Sequence, residues 1–191
     1  NGKAVHGTVK TMRSMISYLH WIGQGIPLGA KVEGAEFPQV DRKMIMSRAA
    51  DPKAGAKVYK QHCAVCHGEN GEGQKNEGKA NGFLYPALWG PDSYNTGAGM
   101  YRVIRAADWI VANMPLGADN HNRILTDDEA YDVAAYINDY DKKRPIKEGR
   151  EKDFPDVRVK VPDSDIGPYY DDKSVTQHKY GPYKGIIIPA K

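Results

Sequence analysis

The sequence predicts an all-α domain preceded by a helical extension and followed by a long irregular tail. Three observations carry this. Apolar residues recur at helical spacing in separate stretches, most clearly from Ala130 to Tyr140. Prolines cluster in the last fifty residues, at Pro145, Pro155, Pro162, Pro168, Pro182 and Pro189, where they make a poor helix and favour extended segments and turns. No stretch of 18 apolar residues exists in a chain of mean hydropathy −0.64, so no membrane span is expected. With 191 residues the chain suits one ordinary domain with additions, divided here as 1–50, 51–142 and 143–191.

The elements follow in order. Met12 and Met15 lie on a helical stripe near the front and are expected to pack in a core. The window from Met15 to Ile22 is broken by Ser17 and His20, and no charged start leads into an apolar run, so no signal peptide is expected in this chain. Asp51-Pro52 supplies an N-cap and a first-turn proline for a helix over 53–62, with Ala54, Val58 and Tyr59 on one side. A glycine-rich run from Gly68 to Gly82 reads as a solvated loop. A third helix is expected from Met100 to Ala112, turning Val103, Ile104, Ala107 and Val111 inward. Thr126-Asp127-Asp128-Glu129 is a capping box that opens the clearest helix.

Charge separates the tail from the body. Residues 1–141 carry −1 and residues 142–191 carry +4, giving +3 in all. That excess is too weak and too scattered to argue for nucleic acid. The tail reads as a solvated surface or as a docking patch for an acidic partner.

The chemistry lies in Cys63-Ala64-Val65-Cys66-His67. A redox disulfide, half of a metal site and covalent haem attachment all use two cysteines at this spacing. A four-cysteine zinc site is excluded, because the chain has only these two. A thioredoxin-like pair follows a strand, and here a helix leads in. The appended histidine favours c-type haem: two thiols add to the vinyl groups, and the next side chain lies under the iron. The expectation is one covalent haem c on Cys63 and Cys66, with His67 as a ligand.

The motif ending a short helix, with a capped helix at the far end, resembles the class I cytochrome c fold. There the first and last helices cross at a small residue against an aromatic one, the places held by Gly55, Tyr59, Val133 and Tyr136. Two helices of any bundle would be the plainer reading. Pro86-Ala87-Leu88 resembles the Pro-x-Leu segment of that fold, which implies that the Pro86 carbonyl accepts from the axial histidine and that Leu88 packs on the haem. For the second iron ligand, Met114-Pro115 after the third helix resembles the distal-ligand loop, with Met100 the competing choice; Met44 and Met46 lie in a connector of uncertain register. Trp89 and Trp109 are candidates to wall the crevice. His6, His20, His62, His121 and His178 show no ligand spacing.

A narrower resemblance covers the chain from residue 51 onward. Ala87-Leu88-Trp89-Gly90-Pro91-Asp92-Ser93-Tyr94-Asn95, Gly97-Ala98-Gly99-Met100, Ala112-Asn113-Met114-Pro115-Leu116-Gly117 and Gln177-His178-Lys179-Tyr180-Gly181-Pro182-Tyr183 look like the second haem domain of the bacterial thiosulfate dehydrogenases. Asn1-Gly2-Lys3-Ala4-Val5, with a helix from Thr11 to Gly23, resembles the end of that family's first domain. The resemblance implies a periplasmic two-haem enzyme that interconverts thiosulfate and tetrathionate, with sulfur chemistry at a first haem ligated by histidine and cysteine. Neither a second attachment motif nor a further cysteine is present here. What transfers is the electron exit: haem on Cys63 and Cys66, ligation by His67 and Met114, and no catalytic residue. Some members carry lysine before the ligand methionine, where this chain has Asn113, so no amine competes.

Two functions stay apart. In one the chain is an electron-transfer cytochrome, or the relay half of a thiosulfate dehydrogenase whose catalytic half is another chain or was cleaved off, exchanging electrons with a redox partner such as a chain carrying a second haem. In the other it is a complete oxidoreductase acting on a sulfur compound at its own haem. The absence of a thiolate ligand favours the first. A haem-based small-ligand sensor is disfavoured by Met114-Pro115. Since covalent haem attachment is completed outside the bacterial cytoplasm, an exported, periplasmic protein is expected.

Overall fold

The computed structural model describes residues 9–30, 38–78 and 82–186. The chain falls into two units, residues 1–36 and 37–191. In the first unit, helix α1 (Lys10–Ile22) buries none of its residues, and Met15 is 55% exposed, so the stripe expected to pack in a core does not do so within its own unit. Among the described residues of that unit no second helix offers it a face to bury against. The run from Asn1 to Val5 and His6 lie outside the described residues.

In the second unit, α2 (Arg42–Ser47) starts at Asp41, whose carboxylate accepts from Lys43 N. Val40 and Ile45, in the stretch read as linker, are buried in the core. Val40 N donates to Asp108, which also takes Arg42 at 2.7 Å. Helix α3 (Pro52–His62) begins at Asp51, capped as the sequence predicts, and Cys63 closes it. Helix α4 (Ala64–His67) holds the rest of the motif.

The glycine-rich run is partly ordered: β1 (Gln74–Lys75) pairs antiparallel with β2 (Phe83–Tyr85). Gly71 sits at φ +65°, and an added Cβ would lie 2.3 Å from the Trp89 ring. A side chain there would be strained by conformation as well as by space.

The third helix starts three residues later than its periodicity suggests. A 3-10 turn covers Gly99–Tyr101, and α5 (Val103–Asn113) follows Arg102, which is extended. The reason lies in the tail. Asp163 accepts from Arg102 Nε at 2.7 Å and from Ile104 N at 3.2 Å, capping the helix from sixty residues downstream. Helix α6 (Asp127–Ile137) carries the full capping box and packs on both α3 and α5. Where it crosses α3, Gly55 faces the Asp132 carbonyl, and Tyr59 meets Tyr136 with ring centroids 5.4 Å apart. Apolar burial drives this packing: Ala130, Val133, Ala134 and Ala135 are fully buried.

Among its described residues the tail is irregular save for two 3-10 turns, Arg150–Lys152 and Val157–Val159, and one helix, α7 (Val175–Tyr180). Ser174 caps α7 and Gly181 ends it at φ +81°, signals that the surrounding prolines obscured. Among the described residues, no helix is long and apolar enough to cross a membrane.

Candidate cofactor site

The end of α3, the turn of α4, the segment after β2 and the end of α5 converge on one cleft. It holds about 890 Å³ of empty space, the solvent at its mouth included. Its lining is almost wholly apolar. Cys63, Cys66 and His67 line it, and so do Pro86, Leu88 and Met114. All six residues singled out in the sequence are therefore brought together. Met100 lines it as well. Both methionines frame α5, Met100 in the turn before it and Met114 as its C-cap. Met44 packs against the core and Met46 is exposed, each on α2.

The motif's geometry follows from two helical turns meeting at Cys63. Cys63 ends α3 by donating its N–H to Tyr59 O, and its own carbonyl accepts from Cys66 N and His67 N. This places both sulfurs and the imidazole on the cleft. The thiols are not bonded to each other. Burial, with Cys66 beside it, pushes the Cys63 thiol up to about 11. A thiol held protonated at neutral pH is a poor partner for disulfide exchange. Among the described residues no group of three His, Cys, Asp or Glu side chains is placed to hold a metal ion.

His67 is fixed by one contact. Its Nδ1 lies 2.8 Å from Pro86 O, which can only accept, so the proton sits on Nδ1 and the Nε2 lone pair is left for a ligand bond. The loop holding Pro86 is tied back to the motif: Gly73 N donates to His67 O, and Leu88 N donates to Gly71 O. These residues fit a covalently held haem c, with an apolar enclosure, two thiols at attachment spacing, an oriented imidazole and thioether sulfurs in one cleft.

The two tryptophans part company. Trp109 lines the cleft, whereas Trp89 packs behind it against Tyr59 and Tyr136 at centroid distances of 5.0 and 5.8 Å. Sequence reasoning missed His62, Tyr85, Tyr94 and Ile137, which also line the cleft. For His62 a signal existed, since it stands four residues before Cys66 across the helical turns. Tyr94 is half-buried, and desolvation pushes its phenol up against the opposing effect of Arg144; its hydroxyl donates to Asn138 at 2.9 Å.

Residues 52–141 match the cytochrome c family. The thiosulfate dehydrogenase of Psychrobacter arcticus is 39% identical over 155 residues, covering 81% of this chain and 44% of the relative. That of Allochromatium vinosum is 41% identical, covering 72% and 47%. The chain spans about half the length of the curated relatives it matches, or slightly less. A solved structure of the thiosulfate dehydrogenase TsdBA from Marichromatium purpuratum superposes with a TM-score of 0.57 at 40% identity, covering 72% of this chain and 28% of that one.

Proposed function

Residues 52–141 belong to the cytochrome c family, and from that premise we propose that this chain is a periplasmic electron-transfer unit of a thiosulfate dehydrogenase system, carrying one covalent haem c with His67 and Met114 as iron ligands. The observation that carries the reading is the convergence of Cys63, Cys66, His67 and Met114 on one apolar cleft. When bound, the haem supplies one-electron transfer, and methionine ligation raises its potential.

The chain's own residues account for the rest. Pro86 O orients the imidazole and strengthens it as a donor. Leu88, Ile110 and Ile137 exclude water from the cleft, which favours the less charged reduced state. Asn113 donates to Trp109 O at 2.8 Å and so turns back onto its helix, leaving the next residue, Met114, as the donor in the cleft. Both cysteines belong to the motif, so none remains as a thiolate ligand for sulfur chemistry. We assign the sulfur chemistry to a second haem outside these 191 residues, with which this unit would exchange electrons.

Redox titration of Met114→Ala with its haem still attached tests the ligand. A lowered potential is expected; an unchanged one would move the ligand to Met100. Rapid carbon monoxide binding by the reduced wild type would count against His/Met ligation altogether. Native mass spectrometry of the protein as isolated should show one haem per chain, and a companion carrying a second haem would tie it to the enzyme.

A further inference from the structure

His178 stands in the stretch 177–183 that the sequence singles out and the cofactor site does not use. Its side chain is 3% exposed. Nδ1 lies 2.7 Å from Pro162 O, and Nε2 lies 3.0 Å from Asp171 Oδ1. A carbonyl can only accept, and so can an ionised carboxylate, which here also takes Lys173 N at 3.0 Å. Both ring nitrogens therefore donate, and the ring carries one proton more than a neutral imidazole. The pair is shut away from water: the Asp171 side chain is 4% exposed, and Tyr169 stacks on the imidazole at 3.6 Å. Burial pushes the Tyr169 phenol up, so it stays neutral. The other charges nearby have partners of their own. Lys160 Nζ, 5.2 Å from the Tyr169 ring, donates to the Ile166 and Pro168 carbonyls; Lys173 Nζ pairs with Asp172; Arg150 and, on α7 itself, Lys179 pair with Asp165.

One imidazolium thus clasps three pieces of the tail: the turn at Pro162, the turn at Asp171 and α7. Helix α7 is anchored to the domain separately, because Tyr180 O accepts from the Tyr131 hydroxyl at 2.7 Å and from Ala50 N at 2.8 Å. The Pro162 turn leads directly into Asp163, whose carboxylate caps the start of α5 through Arg102 and Ile104 N. Clasp and cap therefore share one turn, and the helix they hold ends at Met114 in the cleft. If the ring loses its proton, a nitrogen lone pair faces a buried carboxylate that no longer has its cation, and a half-broken buried pair is strongly destabilising. Resting on the haem reading above, we propose that His178 is a positioning residue for Met114: its proton fastens the clasp that steadies Asp163 on α5, and loss of that proton at raised pH slackens the hold on the methionine.

The test follows the oxidised holoprotein from pH 5 to pH 9 by two readouts: the methionine–iron charge-transfer band, and the hydrogen-exchange protection of the Ile104 amide, which bonds to Asp163. Both should fall together as pH rises, the protection by about tenfold or more. Asp171→Asn keeps an acceptor but removes the charge that steadies the imidazolium, so both falls should move to lower pH by about one unit or more. His178→Asn keeps a donor for Pro162 O without a titrating ring and should lose that step. Lys179, which burial lowers to about 8, titrates in the same range; its partner is Asp165, so a step that moves with Asp171 belongs to His178. Protection that stays level with pH in the wild type overturns the proposal, and so does a step that Asp171→Asn leaves in place. A loss of protection with an unmoved band overturns it too, because the clasp would then stop short of Met114. If His178→Asn does not accumulate, the wild type and Asp171→Asn decide. A wild type with no methionine band at any pH would sink the His/Met reading instead, and the Ile104 amide then judges the clasp alone.

Discussion

The crossing of α3 with α6 and the tail's attachment to the same domain bury side chains of opposite kinds. At the crossing, Ala130, Val133, Ala134 and Ala135 are buried beside the Tyr59 ring, and the backbones approach so closely that a Cβ at Gly55 would lie 2.0 Å from Asp132 O. In the tail, the buried set includes Lys160, Asp163, Ser164, His178 and Lys179. Lys160 donates to the carbonyls of Ile166 and Pro168. His178 stacks on Tyr169 at 3.6 Å between Pro162 O and Asp171. One region excludes water by shape, and the other replaces water with partners. Errors at the first cost steric strain; errors at the second leave a charge or a donor uncompensated.

Three substitutions break or sharpen that contrast. Gly55→Ala should have the largest effect, about 3 kcal/mol or more, because backbone rather than a flexible side chain stands in the way. Urea unfolding of the holoprotein measures it, and a loss under about 1 kcal/mol would mean that the helices can slide apart cheaply.

Asp165→Asn comes next, at about 2–3 kcal/mol near pH 7 for a half-broken buried cluster. Burial pushes the Asp165 carboxyl up, but Arg150, Lys179 and the Tyr101 hydroxyl outweigh it and hold the group below the usual carboxylate range. A carboxyl lowered on folding contributes stability that is complete above its unfolded value, about 3.9, and is lost as pH falls through the folded value. The gap between wild type and Asp165→Asn should therefore narrow from pH 7 to pH 3. An equal gap at both would trace the loss to packing instead of charge.

Thr126→Ala is the smallest, at about 1 kcal/mol, since the hydroxyl accepts from Glu129 N at 3.2 Å at an exposed helix start. The Glu129 carboxylate returns the bond to Thr126 N and is lowered by it. Thermal melts resolve a loss of this size, and none at all would make the box redundant with α6's apolar face.

The same contrast explains what could be read in advance. Helix α6 was legible because capping and periodicity point the same way, and the helix ending at Cys63 because Asp51-Pro52 announces its start. The candidate site was legible as a set because its cysteines and histidine are adjacent in sequence. The start of α5 was not, since its cap, Asp163, comes from a distant segment and leaves no local signal. Nor was the burial of Lys179 and Asp163, which hydropathy counts as surface. Arg144 looks like one more charge in a basic tail until Leu88 and Ile137 are seen to hold it.

Asp163 grips the front of the helix whose far end presents Met114. The piece that folds by itself is consequently longer than the segment that matches the cytochrome c family. Trimming the chain to 52–141 would uncap α5, strand Arg102 and uncover Tyr131, whose hydroxyl donates to Tyr180 O. A shortened cytochrome cut at the family's border would retain its attachment cysteines yet mature poorly, because the scaffold presenting them is finished by residues that come last in the chain.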